Sequence, residues 1–76
     1  MSSGLPRVNG SRFVRALEKK GFVEKRRKGS HAHLFRDADR RRVTVPVHKG
    51  KEIPEGTLRA ILKDADLTPN ELRELL

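Results

Sequence analysis

The chain contains no cysteine, no tryptophan and no tyrosine. Without cysteine there is no disulfide staple, no Cys-ligated zinc and no thiol nucleophile. Three phenylalanines are the whole aromatic complement, too few for the run of stacking rings on which sequence-tolerant single-strand binders rely. Apolar runs are two or three residues long, which leaves neither a transmembrane helix nor a signal-peptide core. The glycines form no phosphate-cradling loop, because charged residues and Pro54 separate Gly50 from Gly56. At 76 residues and 34% hydrophobic content, the chain has room for one domain and little interior for a deep substrate cavity. A small cytosolic domain is the class that remains.

What the chain does have is positive charge. Eighteen Lys and Arg stand against ten Asp and Glu, a formal net charge of +8. Residues 1–51 hold 15 Lys/Arg and 4 Asp/Glu, a net of +11, whereas residues 52–76 hold 3 and 6, a net of −3. Such asymmetry points to a phosphate-binding face with a separate acidic end. The plainer alternative is a solvated basic surface that serves solubility.

The small, turn-prone opening predicts a flexible leader over residues 1–9, followed by a single domain over 10–76. Phe13, Val14, Ala16 and Leu17 then fall on one side of a helix over 10–20, with Asn9 or Ser11 to cap it and Gly21 to end it. Residues 22–28 predict a strand of heavy positive charge, and Gly29-Ser30 a turn. Residues 31–36 alternate, with His31, His33 and Phe35 on one face and Ala32, Leu34 and Arg36 on the other. After a turn at 37–40, residues 41–47 predict a third strand that points Val43, Val45 and Val47 to one side. Short connections make the three strands an antiparallel meander. A second helix over 56–65 carries Leu58, Ile61, Leu62 and Ala65. Thr68-Pro69-Asn70-Glu71 is a capping box that starts a short last helix. The fold class is α+β, in the order α-β-β-β-α plus a short C-terminal helix. Two helices lie on one face of the three-stranded antiparallel sheet and the other face is open.

Histidine is the residue suited to proton transfer near neutral pH, and there are three: His31, His33 and His48. RNA carries its own nucleophile, the 2′-hydroxyl. A ribonuclease therefore needs only a general base, a cation for the phosphorane and a proton donor for the 5′ oxygen. A histidine among cations supplies the base. Lys25, Arg26, Arg27, Lys28, Ser30 and Arg36 stand close enough in sequence to His31 to hold the phosphates. Strand histidines are otherwise surface or phosphate-contacting groups. Spacing at i, i+2 also suits a metal, but no Asp or Glu completes a set with His31, His33 and His48, and neither metal nor cofactor is called for. Phe13 and Phe22 fit the core. Phe35 shares the His31 face and is expected to pack inward, with stacking on a base as the other use.

The segments Arg15-Ala16-Leu17-Glu18-Lys19-Lys20-Gly21-Phe22, Lys28-Gly29-Ser30-His31, Val43-Thr44-Val45-Pro46-Val47-His48 and Gly50 to Leu62, in that order, resemble the HicA family of mRNA-interferase toxins. The resemblance runs from about Ser11 to Leu67. It implies a fold like a double-stranded-RNA-binding domain, metal-independent and ribosome-independent cleavage of mRNA, and a HicB-type antitoxin that covers the active site. It implies His31, the histidine after Gly-Ser, as the catalytic residue, and it assigns nothing as firm to His33 or His48. The chain departs from the family at Arg36-Asp37-Ala38, where Arg-His-Pro is frequent. Two other readings stand beside the nuclease. A non-catalytic double-stranded-RNA-binding module would carry lysines at the start of its last long helix, where this chain has Glu52 and Glu55. A protein-docking adaptor would use the same basic face without needing His31.

Overall fold

A computed structural model describes residues 4–76; Met1 to Ser3 lie outside the described residues. The order is α1 (Gly10–Lys19), β1 (Val23–Lys28), β2 (His31–Arg36), β3 (Arg41–Pro46), α2 (Glu55–Ala65) and α3 (Pro69–Leu75). The strands form one antiparallel sheet in the order β1-β2-β3, so β2 is central and both of its neighbours are edges. The architecture is α+β of the α-β-β-β-α type, with a short third helix.

Local chemistry sets each boundary. Asn9 is the cap of α1: its side-chain oxygen accepts the Arg12 N–H at 2.9 Å. Thr68 and Glu71 complete the capping box of α3, with Glu71 N–H donating to Thr68 Oγ1 at 3.1 Å and Thr68 N–H to Glu71 Oε1 at 2.8 Å. The hairpin between β1 and β2 turns on Gly29, at φ 60°. Glycine at the first of two turn positions is what a type II′ hairpin requires.

The core lies between the helices and one sheet face. Phe13, Leu17, Leu34, Val45, Leu58 and Leu72 are buried there, and among the described residues no polar or charged residue is buried with them. Each such side chain contributes about 1.5–3 kcal/mol by leaving water. Ala32, Leu34, Val43 and Val45 are the sheet's share, as period-two alternation requires.

Two expectations are revised. The leader over 1–9 does not run as far as residue 9. Val8 is buried, its carbonyl accepts the Ile53 N–H at 2.9 Å, and Asn9 bridges Glu52. The apolar Val8 side chain draws this stretch into the core as a partner of the segment before α2. Phe35 is not in the core either. It stands half-buried on the open face, because the two faces of β2 alternate and the helices cover the side of Ala32 and Leu34.

Candidate functional site

The open sheet face collects the residues singled out from sequence, and cross-strand register decides which of them meet. Lys28, His31 and Pro46 form one row across β1, β2 and β3; Arg26, His33 and Thr44 form the next; Val23, Phe35 and Arg42 form the third. Directly opposed residues project to the same side.

A β-bulge places the cations. Glu24 pairs with Leu34 and Arg26 with His33, so Lys25 has no opposite number. In a regular strand Lys25 and Arg27 would share the side of Val23. The inserted residue reverses the alternation and turns Arg26 and Lys28 toward the histidines instead. Arg27 goes to the other side, where it holds Glu24 through two bonds of 2.8 and 2.9 Å. That hydrogen-bonded pair lowers the Glu24 carboxyl below its usual range and raises the Arg27 guanidinium.

His31 opens β2 directly after the turn. It is exposed, and its ring makes no hydrogen bond among the described residues. Ser30 is tied down beside it, its carbonyl accepting the Val47 N–H at 2.6 Å, which closes the turn against the end of β3. His33, one row along, is half-buried, with Nδ1 3.1 Å from Thr44 Oγ1. His48 lies in the loop beyond β3, exposed, and among the described residues its carbonyl alone is engaged, by the Lys51 N–H at 3.0 Å. Among the described residues no three His, Asp or Glu side chains gather at metal-binding distance.

Arg36 does not join this face. Its guanidinium lies on the helix side, 4.5 Å from the Phe22 ring centroid. It donates to the Lys20 carbonyl at 3.1 Å, to the Ala65 carbonyl at 3.0 Å, and through two nitrogens to Asp39 at 3.0 and 2.8 Å. The first two acceptors sit at the C-terminal ends of α1 and α2, where the helix dipoles favour a cation. The fork-like pairing raises the Arg36 guanidinium and holds the Asp39 carboxyl at about 2. Of the sequence candidates, the fold therefore brings Arg26, Lys28, Ser30 and His31 together, sets Lys25 at the bulge beside them, and turns Arg27 and Arg36 away. It adds Arg42, whose guanidinium carbon is 5.8 Å from the Phe35 ring centroid. Arg42 was legible only as an exposed residue of β3; its partnership with Phe35 depends on register.

No helix among the described residues is long and apolar enough to cross a membrane. The chain matches the model of the family described as HicA toxin of bacterial toxin-antitoxin over residues 10–67. No curated protein matches it. The matched span begins at the first residue of α1, includes all three strands and ends just after α2, so it covers the face that exposes His31. The chain belongs to the HicA family of toxins from bacterial toxin–antitoxin systems.

Proposed function

We propose that this toxin is a metal-independent endoribonuclease that cleaves mRNA without the ribosome, with His31 as its general base and then acid. His31 takes the proton of a 2′-hydroxyl, the 2′ oxygen attacks the adjacent phosphorus, and the bond from phosphorus to the 5′ oxygen breaks. The leaving oxygen takes a proton, and the product is a 2′,3′-cyclic phosphate. Lys28 and Arg26 supply positive charge to the phosphorane. Lys25 and Ser30 contact the RNA beside them.

The observation that carries the reading is the setting of His31. A histidine that served the fold would be hydrogen-bonded or packed; this one is exposed, its ring unengaged among the described residues, at the end of a strand beside Lys28. The register that sets Arg26 one row away adds a second cation on the same side. Neither cation is neutralised by an ion pair among the described residues. The family membership brings an antitoxin partner, and an acidic protein of the HicB type, covering His31 and the cations, fits the charge of this face.

The duplex-binding alternative finds less support. The start of α2 is acidic, with Glu55 in its first turn and Glu52 before it, where phosphate-gripping lysines would be needed. The test is His31→Ala. Loss of a general base costs about 10²–10⁴ in rate, so RNA integrity and growth should both recover on expression while the circular dichroism of the protein is unchanged. A His31→Ala protein that still cuts RNA at the wild-type rate would exclude the mechanism. Activity that disappears with EDTA would do the same.

A further inference from the structure

Resting on the nuclease reading, we infer that the Phe35–Arg42 row is a docking site for an unpaired nucleobase of single-stranded RNA, a few nucleotides from the bond that His31 cuts. Phe13 and Phe22 are buried, so Phe35 is the one phenylalanine outside the core. It lines a depression of about 530 Å³ together with Lys25, Arg26, His33, Arg42 and Thr44. That volume has room for a base with its sugar and phosphate.

The lining selects the occupant. An apolar protein side chain would find a ring but a hostile rim, because three guanidinium or ammonium groups surround it and the strand residues of this face include no carboxylate. A nucleotide satisfies both parts. Its base stacks on Phe35 beside the Arg42 guanidinium, and its phosphate meets Lys25. His33 has Nδ1 turned to Thr44, which leaves Nε2 available to a base edge or a phosphate oxygen. A duplex cannot enter, since its bases are stacked and paired. Phe35 lies four residues from His31 on the same strand, about 13 Å, a span that a single strand crosses in a few nucleotides. The site would thus read the base downstream or upstream of the cut while His31 supplies the chemistry.

The experiment uses the full chain carrying His31→Ala, so that RNA survives. A single-stranded RNA of about ten nucleotides, with 2-aminopurine at one position in turn, reports stacking by fluorescence quenching. The chain has no Trp or Tyr to obscure the emission. Quenching at one position is expected. Adding Phe35→Leu should abolish it and weaken binding about tenfold, whereas Phe35→Tyr should preserve both, and a duplex of the same sequence should give no quenching. If no position is quenched and Phe35→Leu binds RNA as tightly as its parent, the inference is wrong, even where the wild-type protein cuts RNA. If Phe35-dependent quenching occurs but the wild-type protein cuts nothing, the base site stands and the nuclease reading falls. If Phe35→Leu weakens only an acidic protein partner and leaves RNA binding intact, the face is a protein-docking surface and the inference is overturned.

Discussion

Replacing Arg36 with alanine should damage the fold and leave the chemistry of the open face intact. The guanidinium reaches two backbone carbonyls, at 3.1 and 3.0 Å, from two different helices. Hydrogen bonds from a charged donor contribute about 1.5 kcal/mol each at the low end of their range. The contact with Phe22 adds about 0.5 kcal/mol or more. The Asp39 pair is partly exposed and screened, so it adds little to this sum. Together these contacts come to about 3.5 kcal/mol, and for a domain of 60–100 residues each kcal/mol moves the thermal midpoint by about 4–8 °C. The Arg36→Ala midpoint should therefore fall by roughly 14–28 °C, read by far-ultraviolet circular dichroism. RNA cleavage, measured well below both midpoints, should stay close to wild type. Arg36→Lys keeps the charge but not the fork and should recover only part of the loss. An unchanged midpoint with lost RNA binding would show that Arg36 is a substrate contact and that its three tertiary partners count for nothing.

Acid should weaken the same corner. The Asp39 carboxyl is held at about 2, against 3.8 for the free group, chiefly by its hydrogen bond from Arg36. A depressed folded-state value means that the stabilisation is complete above about pH 4 and is lost as pH falls from there through 2. The acid limb of the stability curve should be shallower in Asp39→Asn, and an identical limb would contradict the assignment. Gly10 abuts the end of β3: a Cβ there would meet the Pro46 carbonyl oxygen and lie 2.7 Å from the Val47 Cα. Backbone cannot yield as a side-chain tip does, so Gly10→Ala should cost about 1–3 kcal/mol in urea unfolding, and a neutral result would mean that α1 can shift.

The elements were largely legible because their signals are local. The Asn9 cap, the Thr68–Glu71 box and the alternation of residues 31–36 each depend on neighbours within four positions. His31 was legible for the same reason, since Gly29-Ser30 fixes it at the start of β2. What stayed hidden depends on pairing between distant segments. Lys25 becomes a bulge only because Glu24 and Arg26 take consecutive partners on β2. Four adjacent cations look alike in sequence, yet that one inserted residue sends Arg26 and Lys28 to one side and Arg27 to the other. The sequence groups Arg36 with the phosphate contacts because nothing near it in sequence reveals the carbonyls of Lys20 and Ala65 that hold it on the helix side. Val8 and Phe35 were misjudged for a related reason: burial follows from which face the helices cover.

The position of β1 at the sheet margin has a bearing on concentration as well as on substrate. Among the described residues no strand pairs with the outer backbone groups of β1, and such a margin invites pairing with a second copy. In an antiparallel approach centred on Arg27, which keeps both open faces on one side, Arg26 would face Lys28 of the other copy and Arg27 would face its own counterpart. Each of these opposed pairs would set cation against cation, a repulsive match. Only a strand bearing acidic side chains could add there without that penalty. The residues assigned to RNA thus also guard the chain against self-association, and neutralising them to probe RNA affinity would expose an adhesive edge.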